Sequence, residues 1–290
     1  MIDIKFMGGL GNQMFQYALY IRLKKEYPAY HFHLDFDSYK YVDYHGGFKL
    51  DKIFNIPQTI LLKDKYSIWW RLFYKIKVNL KKYWFFYIDK KRLIKDNCNL
   101  FDFHLSPDAY SFIVGTWADE RCFIKAQKEV LNLFKFLPTT LSEKIKEVSC
   151  NIANSSKKIV AVHIRRGDYI NSNFISLANT NYYSNSLEYI EKIENIHNLK
   201  LYIFSDDPQW CKDNLSFLNR FDYEFIQGNK DYEDMYLMSK CMYIVIANST
   251  FSWWSAYLSN AKNVIAPQLQ FIGQTTPTSY PKDWIVMSLG

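Results

Sequence analysis

Apolar and polar positions alternate in a regular order along the C-terminal half of this 290-residue chain. The run "KIVAVHI" at 158–164 is almost continuously apolar, which is typical of a strand buried on both faces of a sheet. Helical spacing of apolar residues follows in "NYYSNSLEYIEKIE" at 181–194, and "LKLYIFS" at 199–205 is a second apolar run. Strands that alternate with helices in this way predict a parallel sheet covered by helices.

The alternation continues to the C-terminus and is also present at the N-terminus. It predicts helices within 208–215, 231–241 and 249–259 and strands within 221–226, 242–248 and 262–267. At the N-terminus it predicts strands at 2–7 and 31–37 and, between them, a helix from about Asn12 to Tyr27, ended by Pro28. A polar helix and the stretch "NIANSSKK" indicate a linker, so the predicted domains are residues 1–155 and 156–290.

The composition, with 49% hydrophobic and 22% charged residues, is that of a soluble globular protein. The five cysteines are widely spaced and include no C-x-x-C pair, which argues against a zinc site and a disulfide framework. The sequence also has no apolar stretch of the kind found in signal peptides or membrane spans. We therefore expect a cytoplasmic protein.

The net charge of +7 is concentrated in residues 63–95, which contain eleven Lys or Arg and two Asp among many aromatic residues. Such a segment is typical of a peripheral contact with an anionic membrane. An equally good interpretation is a pair of helices with a solvated lysine face over a buried aromatic face. A nucleic-acid partner is not expected.

The stretch "GGLGNQMFQYA" at 8–18 follows the first predicted strand and leads into a helix. Clustered glycines before a helix are typical of a turn that approaches an anion. Gly9 and Gly11 match the first glycines of the dinucleotide-binding fingerprint, but Met14 stands where the third is expected. A nicotinamide-dependent oxidoreductase, with Asp35 on the ribose, is therefore only an alternative at this point.

A cationic motif, "HIRRGDY" at 163–169, follows the strand at 158–164. Ligands of open parallel sheets bind beyond the carboxyl ends of the strands. Arg165 can grip a phosphate through two parallel N–H groups, and His163 shares its parity along the strand end. Asp168 can hold an arginine or order the turn. The alternative is an Arg–Asp ion pair with a purely structural role.

Two further motifs follow predicted strands, and each has an ordinary structural alternative. In "ANSTFS", Asn248, Ser249 and Thr250 open a helix, which indicates either an anion site or a normal N-cap. In "FSDDP", Asp206 can accept the N–H groups of a guanine edge or cap the next helix. "DFD" at 35–37 has the D-x-D form of metal-dependent sugar-nucleotide enzymes, but so short a match is weak, and we expect no metal.

Taken in order along nearly the whole chain, these stretches, with "HGGFKL" at 45–50 and "DYEDMYLMSKC" at 231–241, resemble the bacterial α-1,2-fucosyltransferases of glycosyltransferase family 11. The resemblance implies an α/β fold of GT-B type, with two Rossmann-like lobes and a cleft between them. It also implies a GDP-fucose donor, inversion at the anomeric carbon and no metal. The lobe at 1–155 is then the acceptor side, and the lobe at 156–290 binds the donor.

The resemblance also implies roles for individual residues. Arg165 lies at the β-phosphate with His163 beside it, and Asp206 contacts guanine. The residues implied are catalytic His163, Arg165 and Asp168, and donor-binding Gly9, Gly11, Asn12, His163, Arg165, Asp206, Ser249, Thr250 and Ser252. The α-1,6-fucosyltransferase relatives have a glutamate base where this chain has Asn173, so no base is carried over. The acceptor proton can pass to a nearby carboxylate or to the leaving phosphate.

The expected acceptor is a β-galactoside in a surface glycan of the O-antigen or capsule type, carried on a lipid. A lipid-linked acceptor predicts an enzyme that works at the inner face of the membrane, where residues 63–95 would contact anionic lipid. A related GDP-deoxysugar, such as GDP-colitose, is the alternative donor.

Overall fold

A computed structural model describes residues 2–36, 38–41, 46–57, 93–95, 105, 111–194 and 198–290. The basic segment 63–95, apart from 93–95, and Asp37 of the "DFD" motif lie outside the described residues. The chain divides into two compact units, Met1–Lys135 and Phe136–Gly290.

Within the described part of the N-terminal unit, four strands form a parallel sheet in the order β2-β1-β4-β3. The strands are β1 (Ile2–Lys5), β2 (Phe32–Asp35), β3 (Leu93–Lys95) and β4 (Ser111–Val114). The α-helices are α1 (Leu10–Glu26), α2 (Ser38–Tyr41), α3 (Leu50–Ile53) and α4 (Gln127–Leu133). Short 3-10 helices at Glu120–Cys122 and Ile124–Ala126 precede α4.

Helix α1 is the central helix of this unit, because it is buried on nearly all sides, including at Met14, Phe15 and Tyr17. A helix that is buried on nearly all sides lies inside a domain rather than on its surface. It begins at Leu10, slightly before the predicted start, and ends at Glu26. Pro28 follows directly and is incompatible with a continued helix.

In the described part of the C-terminal unit, six strands form a parallel sheet in the order β10-β9-β8-β5-β6-β7. The strands are β5 (Lys158–Ile164), β6 (Leu199–Ser205), β7 (Asp222–Phe225), β8 (Tyr243–Val245), β9 (Asn263–Pro267) and β10 (Ile285–Met287). The α-helices are α5 (Glu143–Ala153), α6 (Tyr182–Glu194), α7 (Pro208–Asn214), α8 (Asp231–Met238) and α9 (Thr250–Tyr257). Further 3-10 helices lie at Pro138–Thr140, Gly167–Tyr169, Leu177–Asn179 and Ser216–Arg220.

The strand order reverses between β5 and β8, which are neighbours in the sheet. From β5 the chain runs outward through β6 and β7, and it then returns to β8 on the other side of β5. In parallel sheets of this kind, the crevice at the reversal, beyond the carboxyl ends of the strands, is the usual ligand site. In the N-terminal unit, β2 lies on one side of β1 and β4 on the other, and β3 lies beyond β4 at the edge.

Buried tyrosines of α6 hold the strand ends around this reversal. Tyr182 Oη donates to the carbonyl oxygens of Ile246 and Ile265, at 2.8 and 3.0 Å. Tyr183 Oη donates to the carbonyl oxygen of His163 at 2.9 Å. Because buried hydroxyls need hydrogen-bond partners, these contacts tie the helix to particular positions in the sheet.

The division between the units differs from the predicted boundary near residue 155. Residues 136–155 belong to the C-terminal unit because their contacts are made there. The Ser142 amide donates to Glu233 Oε1 at 3.0 Å, Tyr232 Oη donates to the Thr140 carbonyl oxygen at 3.1 Å, and Ile145 of α5 is buried. The acceptor and donor roles of the two lobes stay predictions.

Candidate active site

Arg165 directly follows β5, and carboxylates hold its guanidinium from different sides. Its Nε donates to Asp168 Oδ1 at 2.9 Å, and its Nη1 lies 3.0 Å from Asp206 Oδ2. Burial alone would lower the pKa of Arg165, but the hydrogen bond to Asp168 and the charge of Asp206 outweigh it and raise that pKa. The site therefore contains a permanent cation of defined orientation.

Asp206 also accepts hydrogen bonds from the backbone of the turn after β5. The Arg166 amide donates to its Oδ1 at 2.9 Å, and the Gly167 amide donates to its Oδ2 at 3.0 Å. The helix cap that the sequence left open for Asp206 is made by Asp207, which accepts from the Trp210 amide at 3.3 Å. Guanine contact by Asp206 stays a prediction.

Arg166 forms a second network, which sequence reasoning did not identify. Its Nε donates to Asp207 Oδ2 at 3.0 Å, and its guanidinium carbon lies 3.6 Å from the ring centre of Trp210. This geometry combines an ion pair with a cation–π contact. The signal was present in "FSDDPQW", where a second carboxylate precedes an aromatic residue in the first turn of α7.

His163, near the end of β5, is buried and faces α9. Its ring centre lies 5.5 Å from that of Phe251, and within the described residues no hydrogen-bond partner reaches its Nδ1. Burial, with the positive charge of Arg165 as a second cause, lowers the pKa of His163 to about 3. The imidazole is therefore neutral at physiological pH.

The segment after β8 forms the N-terminus of α9. Ser249 is the N-cap, and its Oγ accepts from the Phe251 amide at 3.3 Å, which is the capping interaction that the sequence allowed. Ser252 is fully buried, and its Oγ donates to the Ala247 and Ser249 carbonyl oxygens, each at 3.3 Å. Phosphate contact by Ser249, Thr250 and Ser252 stays a prediction, and the inward Ser252 hydroxyl gives it no support at that position.

Tyr169 joins the two sides of the strand-order reversal. Its Oη donates to the Asn248 carbonyl oxygen at 3.0 Å, and its ring stacks on Phe174 at 4.2 Å. The buried Asn248 amide in turn donates to the Ile175 and Gln270 carbonyl oxygens, at 2.9 and 3.0 Å. Motifs that are far apart in the sequence, "HIRRGDY" and "NSTFS", are thus brought together at one edge of the sheet.

In the N-terminal unit, the glycine turn is fastened by Gln13, a residue that sequence reasoning passed over. Gln13 Nε2 donates to the Gly8 carbonyl oxygen at 3.3 Å and to the Gly47 carbonyl oxygen at 2.9 Å. Its Oε1 accepts from the Lys49 amide at 3.1 Å. The side chain therefore ties "GGLGN" to "HGGFKL", and its signal was a polar residue in the first turns of a helix next to the apolar Met14 and Phe15.

Gln16, one helical turn further, connects the segment after β1 to the segment after β4. Its Nε2 donates to the Met7 and Gly115 carbonyl oxygens at 3.2 and 3.0 Å, and its Oε1 accepts from the Met7 amide at 3.1 Å. The predicted donor residues Gly9, Gly11 and Asn12 lie beside it at the start of α1, where Gly9 is the N-cap. Gly8 adopts φ +81°, a conformation that favours glycine.

Over the residues that the structure describes, no cluster of three or more His, Cys, Asp or Glu side chains is arranged to hold a metal ion. Among the helices in the same residues, none has the length and apolarity needed to cross a membrane. Asp35 of the "DFD" motif ends β2.

Comparison with solved structures identifies the fold. The fucosyltransferase NodZ from Bradyrhizobium superposes with a TM-score of 0.58 at 15% identity, covering 97% of this chain and 98% of that one. The crystal structure of NodZ α-1,6-fucosyltransferase co-crystallised with GDP gives a TM-score of 0.56 at 16% identity, with 89% and 92% covered. The predicted α/β fold of GT-B type, with Rossmann-like units, is confirmed.

Comparison of sequences then gives the family. The family model "Glycosyl transferase family 11" matches residues 1–287. An α-1,2-colitosyltransferase of Escherichia coli is 36% identical over 262 residues, covering 88% of this chain and 87% of that protein. The O-antigen biosynthesis glycosyltransferase WbnK of Escherichia coli is 30% identical over 314 residues, with 96% and 97% covered. The chain belongs to glycosyl transferase family 11, which leaves the oxidoreductase alternative without support.

Proposed function

We propose that this glycosyltransferase moves L-fucose from GDP-fucose to the 2-hydroxyl of a β-galactoside, with inversion. The observation that carries the proposal is the placement of Arg165 and the N-terminus of α9 on the two sides of the β5–β8 reversal. A cation and a helix N-terminus at one crevice suit a diphosphate leaving group. The α-1,2 linkage has support from the name of the 36% identical relative.

The proposed mechanism depends on stabilising the departing GDP. Sugar transfer of this kind passes through an oxocarbenium-like state, in which negative charge develops on the leaving diphosphate. The guanidinium of Arg165 offers parallel N–H donors to the β-phosphate, and the first amides of α9 at Thr250 add dipole and hydrogen bonds. Asp168 holds the Nε side of the guanidinium so that these donors are already oriented when charge develops.

His163 contributes to this mechanism as a neutral group. With its pKa lowered to about 3 it binds a proton too weakly to serve as a general base near neutral pH. The proton of the acceptor hydroxyl passes instead to a nearby carboxylate or to the leaving diphosphate. We propose that the His163 imidazole lines the crevice beside Arg165 and offers a hydrogen bond to the donor. A charged imidazolium at this position would repel the Arg165 guanidinium.

Colitose is the second candidate sugar, because the 36% identical relative is a colitosyltransferase. Colitose lacks the 3-hydroxyl of fucose. A site that hydrogen-bonds a substrate hydroxyl rejects the analogue without it by about 10⁴-fold or more, whereas a site that ignores the hydroxyl discriminates little. The ratio of kcat/KM for the two GDP-sugars therefore shows which sugar the site is built for.

The deciding experiment is a donor and acceptor screen with the linkage of the product determined by NMR. GDP-fucose and GDP-colitose are each offered with β-galactosides of increasing length. An α-1,2-fucosyl product with the higher kcat/KM for GDP-fucose supports the proposal. Higher kcat/KM for GDP-colitose establishes the second candidate, and a product linked at another hydroxyl contradicts both.

The proposed acceptor is a lipid-linked surface glycan, in keeping with the O-antigen role in the name of the relative WbnK. An acceptor of this kind places the reaction at the inner face of the membrane. We propose that the segment 63–95 makes that contact through its Lys and Arg side chains.

We further propose that transfer needs no metal ion. Arg165 and the amides of α9 neutralise the diphosphate, which is the task a divalent cation performs in other sugar-nucleotide enzymes. Full activity in excess EDTA is the expected result. Complete loss of activity in EDTA that Mn²⁺ restores would instead favour a metal site at Asp35 and Asp37.

A further inference from the structure

We infer that Asp206 acts as a positioning residue for Arg165 and does not read the nucleobase. The inference rests on the proposed function, because it assigns Arg165 to the diphosphate of a GDP-sugar. It departs from the guanine contact that the family resemblance implied for Asp206.

The first support is the register of the sheet. β5 and β6 are parallel neighbours in which His163 pairs with Phe204 and Ile164 pairs with Ser205. The next position on β6 is Asp206, and the next on β5 is Arg165. The pairing of the strands therefore sets this carboxylate beside this guanidinium, with no help from a ligand.

The second support is that both carboxylate oxygens are occupied within the protein. Oδ1 accepts from the Arg166 amide at 2.9 Å, whereas Oδ2 accepts from the Gly167 amide at 3.0 Å and lies 3.0 Å from Arg165 Nη1. A guanine edge offers two adjacent N–H donors and needs these same two oxygens side by side. Asp206 therefore uses the two oxygens that would contact guanine to accept hydrogen bonds from the backbone of the turn.

The third support is that Asp168 and Asp206 contact different nitrogens of the Arg165 guanidinium. Asp168 takes the Nε side and Asp206 takes the Nη1 side, so the plane of the guanidinium is set from two directions. The Asp168 side chain is 56% exposed and that of Asp206 is 23% exposed. The charge of Asp206 is therefore less screened by solvent than that of Asp168, which makes it an effective second holder of the guanidinium.

Gly167 provides an independent variant for the test. A Cβ at this position would stand 2.8 Å from Asp206 Oδ2, closer than real Cβ contacts allow. Gly167→Ala must therefore displace the carboxylate while it leaves the side chains of Asp206 and Arg165 chemically intact.

The experiment measures the binding of GDP and of inosine diphosphate, which lacks the 2-amino group of guanine, by calorimetry. We expect Asp206→Asn to weaken both diphosphates by the same factor, so that their affinity ratio keeps its wild-type value. Gly167→Ala should act in the same direction. Transfer should fall on the order of 10- to 100-fold in kcat/KM, because a displaced catalytic group loses its alignment. A ratio that collapses toward one in Asp206→Asn would show base reading and overturn the inference.

A double-mutant cycle with Arg165→Lys tests the coupling directly. If Asp206 acts through Arg165, then Asp206→Asn costs much less affinity in the Arg165→Lys background than in the wild type. If the double variant instead loses affinity by the product of the two single-variant factors, the two residues act independently and the inference is contradicted. The control is Asp222→Asn, which removes a carboxylate paired with Lys157 at the opposite end of the sheet and should leave both affinities unchanged.

Thermal unfolding of each variant separates loss of fold from loss of position. If Asp206→Asn does not fold, Gly167→Ala decides the question by the same affinity ratio. Wild-type protein that binds neither diphosphate would overturn the proposed function and the inference with it. Selective loss of GDP binding in the variants would overturn the inference alone.

Discussion

At the scale of single residues, Arg165 has the largest expected effect. We predict that Arg165→Ala lowers the transfer rate by on the order of a hundredfold or more, because the departing diphosphate loses a preorganised cation. Arg165→Lys should rescue poorly, since an ammonium group cannot reproduce the parallel N–H donors. Steady-state kinetics with a soluble acceptor measures both.

The matched control is Arg220→Ala. Arg220 is an exposed arginine that pairs with Glu188 and Glu191 on the surface of the same unit. Exposed pairs contribute little, so this variant should keep its activity and most of its stability. More than half of the wild-type rate in Arg165→Ala would refute the assignment.

The pH dependence of stability tests the environment of His163. In the unfolded chain its pKa is about 6.5, and in the folded protein it is lowered to about 3. Between these values the unfolded state binds a proton that the folded state does not. Titration of His163 therefore leaves the free energy of unfolding unchanged above about pH 6.5 and lowers it by about 1.4 kcal/mol per pH unit as the pH falls below that value.

Urea unfolding of wild type and His163→Gln at pH 7 and pH 5 measures this contribution. The difference between the two proteins should shift by about 2 kcal/mol in favour of the variant at pH 5. Between pH 7 and pH 8 the difference should stay constant. If the free energies of unfolding of the two proteins instead changed in parallel between pH 5 and pH 8, then His163 would not be held neutral by burial.

The residues around this site were predictable to different degrees. Arg165 and Asp168 could be placed at a strand end because a buried strand and a polar turn are local patterns. It could not be predicted that Asp206 bonds with the turn after β5 while Asp207 caps the helix, because this depends on the register of β5 with β6. The ring contact between Phe251 and His163 was not predictable either, since α9 and β5 are far apart in the sequence.

At the scale of elements, the strands and helices themselves were well predicted. β5 and β6 have the bounds that their apolar runs indicated, and α6 begins one residue inside its predicted range. The order of strands was not predictable, because pairing in a parallel sheet is made through distant crossovers rather than local turns. β4, which pairs with β1 and β3, was not predicted, and it is only four residues long.

The glycine turn before α1 gives the prediction at this scale. Gln13 is fully buried, and Gln13→Ala leaves the Lys49 amide and the Gly8 and Gly47 carbonyl oxygens without their side-chain partner. We expect the free energy of unfolding to fall by about 1–3 kcal/mol. Urea unfolding monitored by circular dichroism measures it.

The control for this variant is Gln209→Ala. Gln209 is an exposed glutamine of α7 whose amide bonds with Asp213 within one helix. Its removal should change the stability by no more than about 0.5 kcal/mol. Equal effects of the two substitutions would mean that the Gln13 contacts do not hold the turn.

At the scale of the whole molecule, the uneven charge leads to a prediction about membranes. The segment 63–95 should carry the protein onto anionic vesicles at low salt, since each Lys or Arg near the surface contributes about 1 kcal/mol. Salt should release it by screening. Replacing Lys75, Lys77, Lys81 and Lys82 with Gln should weaken co-sedimentation and leave transfer to a small soluble acceptor unchanged.

Vesicles of neutral lipid are the control, and they should bind both proteins weakly. Equal partitioning onto neutral and anionic vesicles would favour the other interpretation of this segment, a solvated lysine face over an aromatic core. The result is independent of the catalytic proposals, because it concerns where the enzyme works and not what it transfers.

The strand-order reversal has a consequence for the time at which the crevice is completed during synthesis. β5 pairs with β6, the next strand to be made, so Asp206 can fasten the turn after β5 early. The other wall depends on β8, where Val160 pairs with Tyr243. Domains fold as units while the chain emerges, and distant pairings form slowly. The turn after β5 can therefore form before the N-terminus of α9 has been made, and a chain that stalls before residue 243 lacks both β8 and α9.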